Sequence, residues 1–253
     1  MKRTLAAPVL LACVLVFGWA AFTWATGVPQ IVLPSPSAVW DRLVTSVSSG
    51  LIAPYLGVTL AEALGGCVLG AAVALPLAVL IHRSKWVSDA VNPFLGATQA
   101  IPAVALAPLL AMWAGYGWSS IVLLCGLMVF FPILISTVVG LRHVPAPIVE
   151  AARLDGAGSL QLLLNIEVPL ALHTMLAGLR NGFTLSITGA VVGEMVIGGG
   201  ATLGLGSLLT VQRDATNTAG MFATIIVLCV VAATLYSLIQ LWERRSRIIE
   251  STR

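Results

Sequence analysis

Apolar residues run in long blocks along this chain, and the polar breaks between the blocks are short. The blocks predict helices near residues 5–25, 57–81, 94–113, 119–141, 171–198 and 219–242. Each is long enough, at about 1.5 Å per residue, to cross a hydrocarbon core about 30 Å thick. Helices are expected because backbone donors and acceptors in lipid must be satisfied within the segment. The third and fifth blocks are the least uniform, since both carry glycine, proline or polar residues. The first block follows Lys2 and Arg3, as the apolar part of a secretory signal would. That part is about 7–15 residues long in a signal and about 20 here, so a retained first helix is expected.

The breaks differ in length. One long loop, about residues 26–56, contains Leu33-Pro34-Ser35-Pro36-Ser37, which proline sterics hold extended. Ala38-Val39-Trp40 then starts a helix expected to lie along the membrane face, with Trp40 at the interface. The other long loop, about residues 142–170, has a finer pattern. Pro145 and Pro147 end the fourth block, and Pro147 suits the first turn of a new helix. Ile148 to Asp155 form two turns, with Ile148, Ala151 and Ala152 on one face and Glu150 three residues from Arg153 on the other. Gly156 and Gly158 break that helix. Ser159 is expected to cap a second one with Leu160, Leu163 and Leu164 on one stripe, and Pro169 marks the approach to the fifth block. The product is a helix–turn–helix knob whose small-residue face suits a groove on another protein.

Composition narrows the picture. Of 253 residues, 58% are hydrophobic and 9% charged, with mean hydropathy +1.01. A soluble domain carries about 25% charged residues, so bilayer is the solvent that fits. The fold class is therefore an all-α polytopic membrane protein of about six transmembrane helices, one transmembrane domain over residues 1–253. The net charge of +3, without a basic stripe interleaved with aromatics, gives no sign of nucleic acid binding. Lys2, Arg3, Arg83, Lys85, Arg142, Arg153, Arg244, Arg245, Arg247 and Arg253 fall on one side of the predicted bundle, against Arg42 and Arg213 on the other. The excess places both termini and the 142–170 loop in the cytoplasm. Cys13, Cys67, Cys125 and Cys229 are far apart in apolar runs, without metal or disulfide spacing. His82, His143 and His173 have no zinc-ligand spacing, and no Gly-x-Ser-x-Gly elbow or phosphate-binding loop occurs. An enzyme is therefore not the expected reading, and no metal site is expected.

Glu150-Ala151-Ala152, three residues, Gly156, nine residues, then Ile166-Glu167-Val168-Pro169 resembles the EAA loop of ABC importer permeases, with Val168 where the family usually has Leu. Leu33-Pro34-Ser35-Pro36, Ile101-Pro102-Ala103, Ala107-Pro108-Leu109, Phe130-Phe131-Pro132, Gly178-Leu179-Arg180, Gly193-Glu194-Met195 and Gly204-Leu205-Gly206 extend the likeness over roughly residues 33–210. They resemble the subfamily importing sulfonates, taurine, nitrate and thiamine or riboflavin precursors. Ala190-Val191-Val192-Gly193-Glu194 is nearer to permeases for pyrimidine- or riboflavin-type precursors.

The resemblance implies a type I importer fold in which the loop around Glu150, Ala151, Ala152, Asp155, Gly156, Ile166 and Pro169 couples to a cytoplasmic ATPase. It also implies a homodimer, an extracytoplasmic substrate-binding protein, a bacterial inner-membrane location, and ATP and Mg held by the ATPase with no cofactor in this chain. The alternatives are a sulfonate, taurine or nitrate importer, or an ion-coupled secondary transporter.

Within the predicted spans, Glu194, Gln99, Pro102 and Pro108 are candidates for the translocation path. Glu194 lines the path or pairs across an external gate, or else it is a snorkelling or water-exposed group that holds the glycine-rich segment from Gly198 to Gly206. Pro102 and Pro108 break the third helix and free carbonyls that need partners. Glu62 is expected at a solvated helix start, and Arg180 snorkels toward headgroups. Gly66-x-x-x-Gly70, Gly178-x-x-x-Gly182 and Gly189-x-x-x-Gly193 permit close helix contact, within the chain first and between copies second.

Overall fold

The computed structural model describes residues 2–97, 102–198 and 202–250, and every regular element among them is helical. In chain order these are α1 (Lys2–Thr26), α2 (Pro36–Ser48), α3 (Ile52–Arg83), α4 (Lys85–Ala97), α5 (Ala107–Ala114), α6 (Trp118–Arg142), α7 (Ala146–Leu154), α8 (Ser159–Leu162), α9 (Val168–Val196), α10 (Leu205–Asp214) and α11 (Thr218–Glu250). Ile52–Arg83, Trp118–Arg142, Ser159–Val196 and Thr218–Gln240 are long and apolar enough to cross a membrane, and Leu10–Thr26 and Ala103–Ala114 are shorter apolar helical stretches.

The third expected helix, 94–113, is not one rod. Helix α4 ends at Ala97, and Pro102, in extended geometry, heads a 3-10 turn over Ala103–Leu106 before α5 begins. Each proline withholds an N–H, and Pro108 sits in the first turn of α5, where no intrahelical partner is lost. Eight residues of α5 reach only about 12 Å, so it does not cross alone.

The membrane-face helix expected from Ala38 starts two residues earlier, at Pro36. Ser35 caps it, its hydroxyl oxygen accepting from the Ala38 N–H at 3.3 Å, and Pro36 occupies the first turn. This helix packs on α11 through an amphipathic face that buries Val39, while Trp40 stays exposed. Helix α3 also starts early, at Ile52 rather than 57, so Glu62 lies ten residues inside it. Glu62 is fully buried, not solvated at an interface.

Helix α6 is the centre of the bundle, clasped between α3 and α9. Its Ile121, Leu124, Cys125, Val129, Ile133 and Leu134 are buried against Ala63, Cys67 and Ala74 of α3 and Phe183, Ile187 and Ala190 of α9. Apolar side chains gain little by leaving apolar lipid, so such an interface rests on close van der Waals packing, and small residues permit it. The paired glycines do this within the chain. A Cβ on Gly66 would overlap that of Cys125, and one on Gly70 would sit 2.7 Å from the Gly126 carbonyl. On α9, Gly178 meets Ser136 and Pro132, Gly182 meets Val129, and Gly189 meets Met128. Helix α1 touches α2, and its Trp19 ring lies 5.6 Å from that of Phe222 on α11.

Candidate functional site

Three places carry polar chemistry: the loop at the Arg83/Arg142 end, a cavity at mid-bundle, and a buried carboxyl cluster toward the opposite end.

At the first, Pro145 turns the chain out of α6 and starts α7, which has no buried residue. Glu150 and Ala151 are exposed, Ala152 is half-buried, and Ile148 and Leu154 stand out, Leu154 at 89% exposure. Most of the expected small-residue face is therefore left open. The expected Glu150–Arg153 ion pair does not form, both side chains being exposed where such a pair gains little. The helix ends in a paired-bond cap: the Gly156 N–H donates to the Arg153 carbonyl and the Ala157 N–H to the Ala152 carbonyl, each at 3.0 Å. This geometry needs a left-handed residue between them, and Gly156 supplies it at φ +89.

Ser159 is not the cap of the second helix. Gly158 is, and the Gln161 side-chain oxygen accepts from its N–H at 3.0 Å. Nor does Pro169 separate two helices, for residues Ser159–Val196 run on as one rod. A proline N lacks the donor for the carbonyl four residues back, and the helix absorbs this by widening to a π-turn over Leu163–Glu167. The turn aims Leu163 and Glu167 inward together, leaving Leu160 and Leu164 exposed, so the expected leucine stripe is split. Asp155 and Pro169 are exposed and Ile166 is half-buried.

Glu167, only 4% exposed, was not singled out by sequence. Its Oε2 pairs with Arg83 Nη2 at 2.9 Å and its Oε1 lies 3.4 Å from His82 Nε2. Arg83 Nη2 also donates to the Ser159 carbonyl at 2.7 Å. The signal available was a His-Arg pair in the last turn of a predicted span together with an acid in an apolar setting.

A cavity of about 780 Å³ opens at mid-depth of α6 and α9. Phe131, Met128 and Tyr236 supply apolar and aromatic surface, and Ser136, Asn181 and Thr184 the hydrogen-bonding groups. Arg180 stands behind Tyr236, its guanidinium carbon 4.9 Å from the ring centroid. Of the four path candidates, Pro102 adjoins this cavity through its neighbour Ala103. Pro108 is exposed on α5, and Gln99 lies outside the described residues.

Glu194 is elsewhere, 2% exposed, and it binds the start of α10. Thr59 donates to its Oε1 at 2.7 Å and the Gly206 N–H to its Oε2, while the Leu205 N–H donates to the Thr59 hydroxyl at 2.8 Å. The open N–H groups and dipole of a helix N-terminus favour an anion here. Gly204 and Gly206 leave room for the carboxylate, which a Cβ on Gly204 would overlap. Glu194 thus holds the end of the glycine-rich segment in place, and it does not line the mid-bundle cavity. Glu62 lies beside it, with neither carboxyl oxygen in hydrogen-bond geometry with a partner.

Residues 66–248 match the family of binding-protein-dependent transport system inner membrane components. The chain is 42% identical over 237 residues to the riboflavin transport system permease protein RibX of Chloroflexus aurantiacus, covering 94% of this chain and 87% of that one. It is 34% identical to the formylaminopyrimidine transport permease protein ThiX of Halalkalibacterium halodurans, over 90% of each chain. The taurine transport system permease protein TauC of Escherichia coli is 28% identical over 93% of this chain and 86% of that one. Among solved structures, an inward-facing MetNI methionine ABC transporter superposes with a TM-score of 0.69 at 17% identity, covering 78% of this chain and 97% of that chain. Identity that low shows the fold alone, and the fold is that of an ABC importer permease. The chain therefore belongs to the family of inner membrane components of binding-protein-dependent transport systems, as one of its permease subunits.

Proposed function

We propose that this permease works as a homodimer, that α7 docks into a cytoplasmic ATPase, and that its solute is a flat, polar heteroaromatic vitamin or precursor of the riboflavin or pyrimidine type. The observation that carries the docking is α7 itself: a rigidly capped helix with no residue buried in its own chain and Leu154 projecting from its end. Exposed Ile148 and Leu154 give the helix apolar surface for a partner's groove to cover. The basic residues of that end support a cytoplasmic position for it and for both termini. Nucleotide and Mg belong to the ATPase. A binding protein delivers solute at the other face. Closure of the ATPases moves α7, and the helix bundle is the two-state element whose populations that movement shifts.

Two facts support the solute class. The riboflavin and formylaminopyrimidine permeases are 42% and 34% identical to this chain. The cavity lining combines the rings of Phe131 and Tyr236 with the amide of Asn181, which suits a ring bearing donors and acceptors. The sulfonate and taurine reading has the 28% identical taurine permease on its side. Against it, the described residues lining the cavity include no cation to meet a sulfonate.

The test is uptake by proteoliposomes holding the chain, its ATPase and its binding protein, offered riboflavin, formylaminopyrimidine or taurine. Riboflavin or the pyrimidine is expected to accumulate with ATP. Asn181→Ala should raise the half-saturating concentration about tenfold, the cost of roughly one lost hydrogen bond at about 1.4 kcal/mol. Accumulation of taurine alone, unaffected by Asn181→Ala, would reject the solute class.

A further inference from the structure

We propose that Glu167 and Arg83, with His82 beside them, form a latch that carries movement of α7 into α3, so that Glu167 and Arg83 are positioning residues for coupling. The inference rests on the reading of α7 as the ATPase contact and goes beyond it, because contact alone moves no transmembrane helix. Helix α7 has no buried residue, so a force on it reaches the bundle through its two chain connections, the short link 143–145 to α6 and the turn at 155–158 with the segment that follows. That segment is held from behind in two ways. Leu163 packs with Leu141 of α6 and Ala171 of α9, and Val79 of α3 joins them. Above this apolar seat, Arg83 holds the Glu167 carboxylate at 2.9 Å and the Ser159 carbonyl at 2.7 Å through one nitrogen. One side chain at the end of α3 thereby grips both ends of the 159–167 segment. The π-turn is what aims Glu167 at it. The ion pair, with one partner 5% and the other 26% exposed, is partly withdrawn from water and so is screened less than a surface pair. Helix α3 in turn meets α6 across the tight glycine contacts at Gly66 and Gly70, so its displacement is passed on rather than absorbed.

The experiment uses the assembled complex in proteoliposomes and measures solute taken up per ATP hydrolysed, with co-purification of the ATPase as the assembly control. Arg83→Gln and Glu167→Gln are each expected to keep the ATPase bound and to lower uptake per ATP about tenfold, within the usual range of coupling between sites. The double variant should be no worse than either single one, because both remove the same link. Arg83→Lys, which keeps the charge, should recover most of the ratio. If Glu167→Gln fails to assemble, Arg83→Gln decides, since Arg83 lies nearer the surface. Unchanged uptake per ATP, effects that add in the double variant, or loss of assembly in both single variants would overturn the latch. If the unmutated chain itself retains no ATPase, the docking reading has failed. If it retains the ATPase and the variants couple normally, only the latch has failed.

Discussion

Gly156→Asp leaves the permease in the membrane and separates transport from ATP hydrolysis. Gly156 closes α7 at φ +89, where an L side chain costs about 1 kcal/mol or more, aspartate somewhat less than most. Nothing lies within 4 Å of where its Cβ would be. The substitution therefore breaks no packing inside the chain. It instead sets a charged group beside the exposed surface of α7, where the ATPase must fit. A bulky charge at the middle of an interface commonly costs about 2 kcal/mol or more. Co-purified ATPase and uptake per ATP should both fall more than about tenfold, with membrane yield near wild type. Glu150→Lys, on the open side of the same helix, should act in the same direction and more weakly, because an exposed charge is screened.

Gly66→Val is the second large effect, and it acts on the fold. The added Cβ would overlap that of Cys125 and come within 3.0 Å of the Cys125 carbonyl carbon and the Gly126 nitrogen. Backbone atoms cannot rotate away, so α3 and α6 must separate along their closest contact. Overpacking costs about 1–3 kcal/mol where side chains can adjust, and this site belongs at or above the top of that range. Gly57→Val, on the same helix with nothing within 4 Å, is the control for helix propensity alone. Monodisperse protein after detergent extraction should fall severalfold for Gly66→Val and stay near wild type for Gly57→Val. Equal yields would mean that the α3–α6 contact is looser than described.

The parts of the fold legible in sequence are those fixed by composition and local geometry. The rods α6 and α11 follow from apolar length, and the glycine spacings announce which faces of α3 and α9 approach a neighbour. The turn at Gly156 follows from a glycine placed where a short helix must stop. What stayed hidden depends on partners distant in sequence. Helix α10 lies between the fifth and sixth apolar blocks, where hydropathy predicts no helix. Its first turn is held by Glu194 and Thr59 from two other helices, a bond across 146 positions in the case of Leu205 and Thr59. Glu62 was placed in water because the polar break before it suggested a helix start, whereas α3 begins at Ile52 with Pro54 in its first turn. Pro169 marks the approach to the fifth block in sequence, but a widened turn upstream lets one helix run through it. That same widening buries Glu167, so the latch could not be anticipated from 3.6-residue periodicity.

The central claim is that the exposed helix α7 is the place where an ATPase drives this permease. A photoreactive amino acid at Leu154, which is 89% exposed, tests it most directly in cells carrying the whole transport system. Illumination is expected to join the permease to a protein bearing a phosphate-binding loop, at a yield that changes when ATP is trapped on that protein. A permease that transports normally, driven by an ion gradient after ATP is exhausted, with Leu154 joined to no such protein, would contradict the account.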